Sequence, residues 1–257
     1  MSDTVPVFTT PSPRIRLVPV DRPWLWLARG WTDFVRAPRL CLLYGTAMVA
    51  ASFLLTLGLV LADLPYLVLP LAAGFTFVAP ILAVGIYEIS RRLELGERPS
   101  LAGAAIAWRR NPLQIALAGL VLLFFHLAWV RIATLLFALF FSGAAPSLSR
   151  LAETLLFSPA SLPFLIVGTA VGAALAAGVF AIAAVSIPML LDRDVGVVTA
   201  IATSVTAVLV NWKAMALWAA LIAIFTALGV ATLYLGLAVA LPLVGLASWH
   251  AYRDLVE

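Results

Sequence analysis

Charge, cysteine, lysine and histidine are all scarce in this sequence, and each shortage closes off a class of protein. Charged residues make up 11% of the 257 and hydrophobic residues 64%, with a mean hydropathy of +1.10. Soluble domains carry roughly 25% charged residues, so a water-exposed fold would lack the polar surface to cover its core. Lipid must be the solvent for most of the exterior. The single cysteine, Cys41, excludes an intrachain disulfide and a thiolate metal site, and is expected to act as a small buried apolar residue. Lys213 is the only lysine beside fifteen arginines. The net charge of +4 is spread over the ends of apolar runs. Nucleic-acid binding wants a clustered basic face, so no nucleic-acid partner is expected. Up to Pro23 there is no short apolar core followed by a small-residue cleavage site, hence no secretory signal peptide. Residues 1–20 read as a disordered cytoplasmic tail, and the first span as an uncleaved anchor.

What is present is a series of long apolar runs. A bilayer core of about 30 Å needs about 20 apolar residues per helix. Such runs extend from about Leu40 to Ala62, Pro65 to Tyr87, Pro112 to Phe141, Leu162 to Leu191, Ala214 to Tyr234 and, more briefly, Leu235 to Trp249. The last two are either one long kinked helix or two spans. At 1.5 Å per residue the stretch is too long for one crossing, and Gly236 and Pro242 offer a turn, which favours two. The predicted fold is therefore all-α: a polytopic bundle of about six spans arranged as three helical hairpins. Arg14 to Arg39, Arg91 to Arg110, Arg193, Lys213 and Arg253 all fall on one side, leaving only Arg131 and Arg150 for the other. The positive-inside rule then predicts both terminal segments in the cytoplasm and a multi-pass location in a bacterial inner membrane.

Each hairpin is preceded by a short amphipathic or small-residue segment with a helix breaker: GWTDFVRAPRLCLLYG, AAIAWRRNPLQIALAG and TAVLVNWKAMALWAA. Candidate repeats run over 21–98, 99–193 and 194–257, within a single transmembrane domain over 21–257. Their uneven spacing also fits shared membrane grammar without a triplication. In the first lead-in helix Trp24, Leu27, Trp31 and Phe34 recur at helical spacing, with Arg29, Asp33 and Arg36 turned away. Trp24, Trp31 and Phe34 are thus candidate interfacial anchors, and a partner-binding helix is the alternative. The third lead-in segment, Asp194 to Val210, either lies in the interface or docks on the bundle. Leu148, Leu151, Leu155 and Leu156 suggest a short helix on the outer leaflet, or a lid over a cavity.

Ionisable residues at membrane depth are functional candidates by default. His126 is either a hydrogen-bonded packing residue or a pore-lining group. Arg131 lies where it can snorkel to outer phosphates. Glu88, Asp192 and His250 stand at span ends and would form a polar ring if the hairpins packed around one axis; otherwise they are ordinary end residues. Gly168, Gly172 and Ala176 carry small-residue spacing that suits a tight helix contact, within the chain or in a homo-oligomer. No nucleophile with a base, metal cluster or cofactor motif is visible, so neither an enzyme nor a bound cofactor is expected.

The stretches AGFTFVAPILAVGIYEISRRLELGERPS, DRDVGVVTAIATSV and WHAYRDLV resemble an uncharacterised bacterial family of predicted integral membrane proteins, a domain of unknown function. The likeness extends over most of the chain after about Val20. It implies an inner-membrane location and about six spans, and supplies no substrate or site residues. Some members carry the label cytochrome c oxidase subunit I. That chemistry needs haem and copper ligands, about six histidines, and His126 and His250 do not support it. The expected function is a non-enzymatic membrane scaffold, assembly factor or regulatory partner of another membrane protein. The alternative is a transporter or channel for a small or apolar solute or lipid.

Overall fold

Helix breakers set the boundaries of the fold more than propensity does. The computed structural model describes residues 13–141 and 158–257. The predicted outer-leaflet helix with Leu148, Leu151, Leu155 and Leu156, together with Arg150 and the first twelve residues, lies outside the described residues. Helix α1 (Arg22–Arg36) starts on Pro23 and stops at Ala37, and α2 (Pro38–Leu61) restarts on the next proline. Proline suits a first helical turn, where its missing N–H costs nothing. The same device separates a short α5 (Leu101–Ala105) and its 3-10 turn from α6 (Pro112–Phe140) at Asn111. It recurs between α8 (Val197–Val210) and α9 (Trp212–Ala231) at Asn211, with Trp212 taking the place of proline. Ala37 and Asn111 adopt nearly the same backbone angles, φ −133°, ψ 50° and φ −147°, ψ 69°. All three predicted lead-in segments therefore end in a one-residue joint.

The returning arms are α3 (Val68–Leu82) with α4 (Val84–Glu94), α7 (Ser161–Asp192) and α10 (Leu237–Leu255). Each contains an internal proline: Pro80, Pro188 and Pro242. Pro80 cannot donate to the carbonyl four residues back, and two residues after Leu82 the helix resumes on a new axis. The carbonyl of Leu82 is taken up by the Tyr44 hydroxyl from α2. Among the described residues, five helices are long and apolar enough to cross a membrane: α2, α3 continuous with α4, α6, α7 and α9. The α10 helix is separate, as two spans require, but its second half carries His250, Arg253 and Asp254 and it is not among those five. The second half of α10 is buried within the protein, which is why its composition differs from those five.

In the connection between α9 and α10, Leu233 and Tyr234 both have positive φ, 52° and 67°, an uncommon conformation for bulky side chains. Thr232 holds this turn, its hydroxyl accepting from Gly236 N at 2.8 Å and donating to Gly229 O at 2.9 Å.

The helices form two sets. The first is α3, α6 and α7; the second is α2, α9 and α10. They join where the arginines gather, hereafter the Arg-rich end. There α10 is gripped by α1, α4 and the last turns of α7, and Val84 to Ser90 and Val185 to Leu191 are continuously buried. The closest helix approaches are also on α10. A Cβ on Gly30 would meet Ala247 N at 2.8 Å, and one on Gly45 would overlap the backbone of Ala238. Pro242 leaves that Ala238 carbonyl without its helical donor, and Gly45 lets α2 close over it.

Part of the expected disordered tail is ordered. Arg16 N donates to Leu255 O at 2.9 Å and Glu257 N to Arg14 O at 3.0 Å, pairing Ile15 with Val256. Asn211 adds two bonds, accepting from Val18 N and donating to Arg16 O. Composition suggested disorder, but the backbone groups of these residues find partners in distant parts of the chain. Helix α8 docks on α7 through Ala200, Thr203, Ser204 and Ala207. Ser204 enters the α7 hydrogen-bond ladder, donating to Ala181 O at 2.7 Å and accepting from Val185 N at 3.1 Å.

Candidate functional site

Two regions hold the polar and concave features of the molecule. The first is the Arg-rich end, where ionised groups are buried in pairs. Glu88, 2% exposed, sits one helical turn before two arginines. It accepts from Arg91 Nε and Arg92 Nε, both at 2.7 Å. Glu94 accepts from Trp249 Nε1 at 2.8 Å and Arg253 Nε at 3.0 Å. Asp192 accepts from the Tyr252 hydroxyl at 2.7 Å, and that oxygen accepts from Arg193 Nε at 2.9 Å. Asp33 accepts from the Ser90 hydroxyl and lies 2.8 Å from His250 Nε2. Asp254 accepts from both Arg22 nitrogens and from Trp26 Nε1.

The Asp254 pair lies beyond the apolar stretch of α10. Burial pushes its carboxyl up, but the hydrogen bonds from Arg22 and Trp26 outweigh this and hold it below the usual carboxylate range. Burial, helped by the bond to Asp192, pushes the Tyr252 phenol up, so it stays a donor. Among the described residues no buried side-chain nitrogen or oxygen lacks a partner, and no three metal-ligating side chains converge. A network whose every member is satisfied is a rigid plug.

The sequence candidates are distributed as follows. Glu88, Asp192 and His250 do share this end but not one ring; each bonds to different partners, because Asp33 of α1 reaches between them to take His250. Asp33 was assigned to the polar face of α1 and is buried instead. The reason is that α1 has three faces, not two. Phe34 is buried with Cys41 and Ile86, which corrects its assignment as a lipid-facing anchor. Trp24 and Trp31 are 56% and 52% exposed. Trp108 and Trp212 are exposed too and sit under Arg109 and Lys213. Exposed tryptophans beside cations are the residue types that aromatic belts use.

His126 Nδ1 lies 2.9 Å from Gly74 O, and its neighbour Trp129 donates to Pro70 O at 2.8 Å, so this histidine joins α6 to α3. Arg131 is exposed. Around Gly168 nothing approaches within 4 Å, and Gly172 meets only the ring of Trp129. The tight backbone contact expected of Gly168, Gly172 and Ala176 is made by Gly30 and Gly45. Within the chain the GTAVG face of α7 meets a side chain and open space, which leaves the homo-oligomer form of that expectation untouched. Asp33, Glu94, Trp26 and Asp254 were missed as site residues. Their only signal in the sequence is that each is polar or aromatic at a helix end.

The second region is a cleft between the two helix sets, with a volume of about 460 Å³. Small residues hold it open: Ala176, Ala183, Ala219 and Gly245 line it, with Phe77 and Trp218 as larger walls. No ionisable acid or base lines it other than the tyrosines. Thr76 and Leu82 on one flank and Ala173, Ala177 and Ala223 on the other are exposed. All five lie on spanning helices, so the cleft opens sideways toward acyl chains. A smaller cavity of about 180 Å³ adjoins it, sharing Phe75 and Thr226 and reaching His126 and Tyr234. Space of this size and polarity is in the range of small-molecule sites.

Residues 68–192, a little under half of the chain, match a family described as "Predicted integral membrane protein (DUF2189)". The match takes in α3 to α7 and stops short of α8 to α10. No curated protein and no solved structure matches the chain.

Proposed function

We propose that this integral membrane protein is a non-enzymatic holder of an apolar molecule drawn from the bilayer, and that the Arg-rich end is the sealed, cytoplasmic side of its site. The single observation carrying this reading is the lateral cleft. It is wide where α2 and α9 stand apart from α3 and α7, and it is closed where the ion pairs begin. A water-filled path would need polar walls; these walls are apolar, which favours a lipid chain or similar solute over an ion. A coupled carrier also needs a buried acid in its path, and none lines the cleft. On this reading the membrane is a bacterial inner membrane. All basic residues but Arg131 and Arg150 fall on the plug side of the sequence pattern, which supports a cytoplasmic plug.

The test is lipid analysis of the protein purified from native membranes, beside an Ala219→Trp variant whose indole fills the cleft. A co-purifying apolar species present in the parent and lost from the variant supports holding. Equal lipid content in both overturns it.

A second reading, a scaffold or regulatory partner, draws on the third face of α1. Arg29, Thr32 and Arg36 are exposed away from both α10 and the tryptophans, free for an acidic partner. Cross-linking in native membranes distinguishes it, through a stoichiometric protein attached at this face.

A further inference from the structure

Most hydroxyls on the membrane helices are spent on a carbonyl of their own helix. Ser52, Thr76, Thr134, Ser186 and Ser248 all bond to a carbonyl three or four residues back. Two hydroxyls on the cleft wall behave differently. Tyr87 is 4% exposed and has no hydrogen-bond partner among the described residues, yet its oxygen is not among the sealed, unsatisfied atoms of the interior. Tyr87 is also one of the residues that line the cleft. Thr226 also makes no hydrogen bond among the described residues, and it stands where the two cavities meet.

By helical rise, Tyr87 lies about 10 Å from the Arg-rich end of α4 and Thr226 about 20 Å from that of α9. From the level of Tyr87 to that of Tyr234, at the far end of the smaller cavity, is roughly 20 Å. One leaflet of hydrocarbon is about 15 Å deep. The joined cavities are thus long and apolar, with no Asp, Glu, Lys or Arg among their lining residues, His126 on the smaller one, and a free phenol near the Arg-rich end.

We propose that the ligand is a neutral, single-chain amphiphile: its uncharged oxygen, hydroxyl or carbonyl, hydrogen-bonds to the Tyr87 hydroxyl, and its chain runs past Thr226 into the smaller cavity. This rests on the holding function above and specifies its substrate class. A charged head is excluded by desolvation, since no counter-ion faces the cleft. A purely hydrocarbon ligand leaves the buried phenol unpaired, which is costly.

The experiment is equilibrium binding of radiolabelled 1-hexadecanol, hexadecane and palmitate to the full chain in nanodiscs, corrected for empty nanodiscs. The expected order is hexadecanol tightest, by about fivefold to tenfold over hexadecane, the worth of one hydrogen bond, with palmitate weakest at pH 8. Tyr87→Phe keeps the ring and abolishes the preference for the alcohol, bringing both neutral probes to the hexadecane affinity. Thr226→Val leaves the preference in place and serves as a second hydroxyl deletion on the same wall. Equal binding of hexadecanol and hexadecane overturns this inference and leaves the holding function standing. So does a preference that survives Tyr87→Phe, or one for palmitate. Binding of none of the three overturns both.

Discussion

The two halves of this bundle are built on opposite rules. At the Arg-rich end, α4, the last turns of α7 and the second half of α10 are buried almost residue by residue and joined by ion pairs. Toward the other end the same helices, extended by α2, α3, α6 and α9, expose leucine and phenylalanine outward and leave a cleft inward. Lipid explains the contrast. Helices in hydrocarbon gain nothing from hiding apolar side chains, so the half away from the arginines has no pressure to close. The Arg-rich half meets head groups and water, and packs as a soluble core does.

The largest test of that contrast is Glu88→Ala. Removing the buried carboxylate strands Arg91, while Arg92 keeps Glu97; breaking a buried pair costs about 3–5 kcal/mol. Thermal unfolding in detergent should show a fall in Tm larger than for any single apolar truncation on the cleft wall. A smaller effect would mean that the plug is wetter than its burial implies.

Glycines give the next test. Gly45→Leu forces a side chain into the Ala238 backbone and is expected to lose about 1–3 kcal/mol, the usual cost of overpacking. Gly168→Leu meets open space and should leave Tm nearly unchanged. If the two variants behave alike, the asymmetry between the halves is wrong.

The smallest expected effect is of acid. The Asp254 carboxyl is held below its unfolded value near 4, so its pairing adds stability above that pH. The contribution disappears as pH falls through the lower, folded value. Arg22 is partly exposed, which limits the pair to about 1 kcal/mol or less. Tm followed from pH 6 to pH 3 should drop in the parent, and less in Asp254→Asn.

The contrast also marks what the sequence discloses. Lipid-facing runs, the joints at Pro38, Asn111 and Asn211, and the separation of α9 from α10 are legible because they depend on composition and local backbone chemistry. His126 bonds toward the Gly74 carbonyl and also lines the smaller cavity, so the choice between packing and lining was not one that spacing could make. Asp33, Phe34 and Trp26 are not legible. They sit on a helix with three environments, and a two-faced periodicity cannot assign the third. The GTAVG spacing points to α7, whereas the closest approach depends on where Pro242 bends α10, a long-range fact. The plug was glimpsed in Glu88, Asp192 and His250, but its pairings join residues far apart in sequence. A cavity enters the sequence reading only as an alternative for His126 and the outer loop, and its walls are not legible, since alanine reads the same whether it packs against a neighbour or faces empty space.

The grip of α1 on α10 has a consequence for biosynthesis. Trp26 and Asp254, which bond in the finished protein, are 228 residues apart. At ~5–20 residues per second, a ribosome takes on the order of 10–45 s to make what lies between them. Throughout that interval the first helix is without its mate, which is not yet translated, and Trp26 and Asp33 have no partner on α10 to bury them.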